Sequence, residues 1–301
     1  MDFPLSKAIP RKMRRGLLAV AVAGLCATSA ISAGGRSTEV PIESDWKDIA
    51  PDELMVMVLS NDRRVIVRLA PTYAPEHVAN VRALARAHWW DGLSVYRVQD
   101  NWVAQWGDMA GRKPLPSGVS PRPAPEYDFP FLPVAQRLGR ADAYSTASGI
   151  SADSWPIATD GNGSWIAHCY GIVGVARSAA PETGSGSELF VTISGAARRL
   201  DRNYTVVGRV IEGMHYLSAL PRSQAEKGFY GSIAEHTPIA WVRLASDMPK
   251  AERPNFQYRA ADNSRFAALI AEKENPPPPQ VSLGGADVCD IPLAVRPALR
   301  R

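Results

Sequence analysis

The chain has 301 residues, 46% of them apolar and 21% charged, enough to bury a full-sized core and too apolar for a disordered protein. Its formal net charge is +4, but the excess sits at the N-terminus: a cut after Ala33 removes five of the 34 basic and one of the 30 acidic residues and leaves 29 of each. A neutral mature chain has no electrostatic footprint for DNA or RNA, so no nucleic-acid partner is expected.

Lys7, Arg11, Lys12, Arg14 and Arg15 precede an acid-free apolar run from Gly16 to about Ile31, the layout of a secretory signal peptide over residues 1–33. Small residues at Thr28-Ser29-Ala30 or Ile31-Ser32-Ala33 offer cleavage sites. The run is short for a membrane span, so a periplasmic or secreted protein with no stable membrane insertion after cleavage is expected, an uncleaved anchor being the alternative. Residues 34–50 read as an extended polar lead-in. Cys169 and Cys289 remain after cleavage; they can bridge in an oxidising compartment or stay as two buried thiols.

Leu54 to Leu59 and Val65 to Ala70 are β-branched-rich runs around Ser60-Asn61-Asp62-Arg63, which predicts a hairpin. Pro75 then opens a helix whose apolar positions Val78, Val81, Leu84 and Ala85 share one face, ending at Trp89-Trp90-Asp91-Gly92. Strands follow at Leu93 to Val98 and Trp102 to Trp106. From about 109 to 170 the chain turns rich in Pro, Gly, Ser and Ala and reads as a long, partly ordered insertion. Strand patterning resumes at Gly171 to Arg177, Glu188 to Ile193, Tyr204 to Ile211 and Ile239 to Ala245, with a short helix at Met214 to Leu220. Beyond Pro249 a helix is expected from about Asn263 to Lys273, then polyproline II at Pro276 to Pro279. Many strands and few helices predict a mainly β, mostly antiparallel barrel.

The most specific segment is Val95-Tyr96-Arg97-Val98, then Trp102-Val103-Ala104-Gln105-Trp106-Gly107-Asp108. It resembles the cyclophilin signature, in which F-H-R-V-I is followed by an aromatic and then Q-G-G-D. Gly171 to Ala176 resembles G-x-x-x-M-A, Gly186-Ser187-Glu188-Leu189-Phe190 resembles G-S-Q-F-F, and Leu200-Asp201 with Tyr204 to Val210 resembles L-D-G-x-Y-T-V-F-G-R-V. The resemblance is to cyclophilin-type peptidyl-prolyl cis/trans isomerases. It implies a closed eight-stranded antiparallel barrel capped by helices over residues 51–248, interrupted by the insertion; it says little about 249–301, which the residues themselves mark as a C-terminal extension with a short helix and a Pro-rich tail.

The resemblance also implies a reaction, rotation about X-Pro bonds in proline-containing polypeptides, which cleaves no bond and requires no metal or cofactor; a monomer is expected. That bond resists rotation by about 18–20 kcal/mol because amide resonance must be broken, and an enzyme need only bind the twisted amide better than the planar one. Arg97, with its fixed fork of donors, is the implied catalytic residue, oriented by Gln105. Trp102, Val103, Phe190, Leu200 and Tyr204 match proline-pocket positions, Ala176 a small groove residue, and Glu188 a position that contacts substrate backbone. A non-catalytic peptide-binding or chaperone module on the same barrel is the alternative.

Several residues depart from the pattern. Glu188 replaces an amide with a group that only accepts when ionised, Leu189 replaces an aromatic, and Arg177 a groove-lining Asn. Arg199 stands where many members carry a cyclosporin-binding Trp, so weak cyclosporin sensitivity is expected. Trp106 replaces Gly and is expected to add bulk beside Gln105. The five histidines show no metal-ligand spacing, and Ser187 lies outside a G-x-S-x-G elbow.

Overall fold

The computed structural model describes residues 40–195 and 197–298. The chain runs β1 (Trp46–Asp48), β2 (Leu54–Leu59), β3 (Arg64–Leu69), α1 (Pro75–Arg86), β4 (Ser94–Gln99) and β5 (Val103–Gly107). The inserted segment carries β6 (Val134–Arg137), β7 (Ala147–Ser151), β8 (Pro156–Thr159) and β9 (Ser164–Ile166). Then come β10 (Ile172–Val175), β11 (Leu189–Thr192), β12 (Val206–Glu212), α2 (Met214–Ser218) and β13 (Thr237–Leu244), and finally β14 (Phe256–Arg259), α3 (Ser264–Glu274) and β15 (Val295–Pro297).

Eight strands close a barrel in the order β10-β11-β5-β4-β13-β2-β3-β12, with β12 pairing back onto β10 and every pair antiparallel. Alternation decides the two faces. Met55, Met57, Val65, Val67, Ala104 and Trp106 point into the barrel core. Trp106 is therefore on the opposite face from Gln105 and adds no bulk beside it, contrary to the sequence expectation: neighbours along a strand cannot share a face. Helix α1 closes one end, burying Val78, Val81, Leu84 and Ala85. Ala74 precedes it with no capping side chain; the insertion supplies one, as Glu126 accepts from the backbone N–H groups of Glu76 and His77 at 2.9 and 3.0 Å.

The insertion is more regular than its composition suggested. Strands β6 to β9 form an antiparallel meander whose Ile150, Trp155, Ile157 and Trp165 share a core with Phe266 and Ile270 of α3 and with Val288 and Ile291. Dispersed large apolar residues suffice for a core when a second segment covers them, and that segment lies a hundred residues away.

The lead-in and the extension also join. β1 pairs with β14 and β14 with β15, and Phe256 packs with Ile49, Leu54 and Ile66. Cys169 and Cys289 form a disulfide, Cα atoms 5.1 Å apart and 120 residues apart in sequence. Asn263 caps α3, its side chain accepting from the Phe266 N–H at 3.0 Å. Pro276 to Pro279 do not run on as the expected polyproline II: Pro278 and Pro279 lie in a turn closed by the Gln280 N–H on the Pro277 carbonyl at 3.3 Å. The signal segment expected over 1–33 lies outside the described residues.

Candidate active site

Strand pairing aligns the central residues. Arg97 on β4 lies opposite Gln105 on β5, Gln105 opposite Phe190 on β11, and Phe190 opposite Gly174 on β10. Directly opposed residues share a face, so Arg97, Gln105 and Phe190 form one row on the outside of the barrel. The register shifts between Val95 and Arg97, leaving Tyr96 as the extra residue of a β-bulge. Such a bulge re-aims side chains; here Tyr96 and Arg97, although consecutive, both reach Gln105.

Arg97 is half-buried and fully engaged on one side. Its Nη1 donates to Gln105 Oε1 at 2.9 Å, Nη2 to Gln99 Oε1 at 2.6 Å and Nε to the Lys227 carbonyl at 2.6 Å. The guanidinium carbon lies 5.1 Å from the Phe229 ring centroid. All three acceptors are neutral, and among the described residues no carboxylate pairs with Arg97. Burial pulls its pKa below the ordinary value, yet a guanidinium stays protonated, so its charge is available. Two of its five N–H donors remain for a ligand.

Beyond Gln105 lies an apolar hollow. Val103, Phe190, Ala197 and Leu200 pack as one cluster, with Trp102, Ala176 and Tyr204 partly buried against it. The Tyr204 ring meets Phe190 edge-on at 5.5 Å. All six apolar residues singled out in the sequence thus converge, joined by Ala197 from the 3₁₀ turn Ala197–Leu200. Arg199 of that turn is exposed.

Residues 54–242 match the family described as "Cyclophilin type peptidyl-prolyl cis-trans isomerase/CLD". The chain belongs to the cyclophilin-type peptidyl-prolyl cis-trans isomerases. Two "probable peptidyl-prolyl cis-trans isomerases", from Brucella suis biovar 1 and Brucella abortus, are 27% and 26% identical to it over 182 residues, 60% of this chain and 78% of theirs. The solved cyclophilin AquaCyp293 from Hirschia baltica superposes with a TM-score of 0.65 at 24% identity, covering 85% of this chain and 95% of its own; it shares the fold.

In this cyclophilin the 3₁₀ turn carrying Leu200 is held by a buried ionic cluster absent from the sequence reading. Arg198 donates to Asp201 at 2.6 Å and to Asp142 at 2.8 Å. Asp201 also accepts from Trp165 Nε1 at 3.0 Å and the His168 N–H at 2.8 Å, and the His168 ring stacks on Phe190 at 6.2 Å. Asp142, Trp165 and His168 all belong to the insertion, which therefore buttresses the hollow. It also reaches the groove: the Arg177 guanidinium lies 4.9 Å from the Tyr204 ring and 5.4 Å from Tyr127.

Glu188 is turned towards the row rather than outward. It accepts from the Tyr96 hydroxyl and the Asp108 backbone N–H, and Tyr96 Oη accepts from Gln105 Nε2 at 2.5 Å. The carboxylate rests on Gly107, where a Cβ would stand 2.3 Å from Glu188 Oε1. Burial pushes the Glu188 pKa up to about 7, against the hydrogen bonds from Tyr96 and Asp108. Tyr96 was visible only as a letter inside the signature, and Phe229 and Lys227 fall in an unpatterned loop with no local signal.

Proposed function

We propose that this isomerase grips the proline ring of an X-Pro bond in the hollow over Phe190 and stabilises the twisted amide with the free donors of Arg97. As resonance is lost, the amide nitrogen regains its lone pair and the carbonyl loses its planar constraint. A preorganised guanidinium that already satisfies neutral acceptors on one side presents its remaining N–H groups without reorganising. Gln105 keeps that fork aimed across the row, Val103, Leu200 and Tyr204 wall the ring, and Ala176 leaves room for substrate backbone. The observation that carries the reading is the alignment with Gln105 and Phe190, on three adjacent strands, of an Arg97 that has no carboxylate partner among the described residues.

We assign its substrates to exported polypeptides. The basic, then apolar, layout of residues 1–33 supports this, as does a disulfide between Cys169 and Cys289, a bond that persists in oxidising compartments.

The deciding experiment is an isomerisation assay on short X-Pro peptides with R97A. A loss of about 100-fold or more in kcat/KM is expected for removal of a charged donor acting in the transition state, with the fold retained by circular dichroism. R97A turning over like the parent overturns the assignment. N-terminal sequencing of the protein from an envelope fraction tests export: a start after Ala30 or Ala33 is expected, and an intact cytosolic chain refutes it.

A further inference from the structure

We propose that Glu188 is a positioning residue which, through the Tyr96 hydroxyl, sets the orientation of the Gln105 amide and so the seating of Arg97, and that the isomerase works best with Glu188 ionised. This rests on the reading of Arg97 as the catalytic residue.

The four groups form one chain of hydrogen bonds. Tyr96 Oη donates to Glu188 Oε2, accepts from Gln105 Nε2 at 2.5 Å, and Gln105 Oε1 accepts from Arg97 Nη1 at 2.9 Å. An ionised carboxylate only accepts, so Tyr96 must point its proton at Glu188. Its oxygen then takes an N–H from Gln105, which leaves the amide oxygen, and not the NH₂, facing the guanidinium. Every bond in the chain follows from the charge at its far end.

A protonated Glu188 removes that direction. Its O–H can donate to Tyr96, whose own proton is freed to turn towards Gln105. The amide that accepts it presents NH₂ to Arg97, donor against donor, and the fork loses its anchor. Two backbone features build the arrangement. The bulge at Tyr96 puts that residue on the same side as Arg97, and Gly107, with φ +142° and no Cβ, lets the carboxylate lie against it. The family's usual glutamine at this position has no such ionisation.

The titratable and charged neighbours are few. Facing Glu188 are Tyr96 from β4, with Arg97 beyond it, and Asp108 just after β5, whose charge favours protonation of Glu188. The Tyr96 ring is flanked by Phe229 at 6.1 Å and by His236 at 6.4 Å. His236 bonds Ser94 Oγ through Nδ1 at 2.9 Å, and burial lowers its pKa. Glu188 itself, raised by burial to about 7, titrates where such a device can act, and His236 is the group to control for.

The experiment measures kcat/KM on a blocked, non-ionisable X-Pro peptide from pH ~5.5 to ~8.5, spanning the titration of a carboxyl raised this far. The intact protein should lose about tenfold as pH falls through that range, the scale of one hydrogen bond to a charged group. E188Q and Y96F should give flat profiles, H236Q should keep the drop, and R97A should be inactive throughout. In the unsubstituted protein the Arg97 Nε–H resonance should shift over the pH range in which the Glu188 carboxyl carbon titrates. A flat parent profile, an E188Q profile that follows the parent, or an unmoved Arg97 resonance overturns the linkage. If R97A is inactive in that case, the catalytic assignment stands without it. Full activity in R97A removes both.

Discussion

The Phe190 ring lies flat against Gly174, so close that a Cβ on Gly174 would stand 2.4 Å from its Cζ. The two are directly opposed across β10 and β11, and the glycine leaves the floor of the hollow to the ring. Its φ is not in the left-handed region, so an alanine is permitted by the backbone, and the three atoms nearest its Cβ all belong to the ring.

Gly174→Ala should therefore tilt Phe190 into the space meant for proline. Overpacking of this kind costs about 1–3 kcal/mol, and here it falls on substrate binding. A KM rise of about tenfold with kcat less affected is expected for a loss near 1.4 kcal/mol. Peptide kinetics alongside a thermal melt check this, and an unchanged KM contradicts the role given to Phe190.

The disulfide closes a loop of 120 residues, for which loop-closure entropy sets a stabilisation of up to about 5 kcal/mol. Cys289→Ser should lower the melting temperature and remove its sensitivity to dithiothreitol, while R97-dependent catalysis at 25 °C persists. A melt unaffected by reductant in the parent protein would contradict the bond.

Asp201→Asn tests the buttress. Burial works against the Asp201 charge, but the His168 hydrogen bond and the Arg198 charge hold its pKa below the ordinary 3.8. Asn leaves Arg198 buried with Asp142 as its close partner, at a cost of about 3–5 kcal/mol for a broken buried pair. The depressed carboxyl also dictates a sign: its stabilisation is complete above the unfolded value and disappears as pH falls through the folded one. Denaturant unfolding should show the parent losing stability below pH ~4 more steeply than D201N. Parallel pH profiles would contradict the assignment.

Local composition was enough to place the barrel strands: the apolar, β-branched-rich runs Leu54 to Leu59 and Val65 to Ala70 and the short runs carrying Arg97 and Gln105 read directly as strands, and the structure places each within a residue or two. Alternation along β5 sets Gln105 outward and Trp106 inward, against the expectation of bulk beside Gln105, because a departure from the family letter carries no information on the face it occupies. The regular structure of the insertion is hidden in the sequence for another reason. Its apolar residues, Trp155, Ile157 and Trp165 among them, lack a face of their own until α3 covers them.

What the amino-acid order determined by itself is a mainly β, antiparallel barrel, the resemblance to the family that implies its eight strands, and the residue types of the row, since strand-forming runs and motif spacing are local properties. Tertiary structure alone decided the bulge that brings Tyr96 beside Arg97, the seat of Glu188 on Gly107, the bridge from Cys169 to Cys289 and the hold of the insertion on Leu200. Each of these joins segments that become neighbours only when the sheet closes, and closure is a property of all eight strands together.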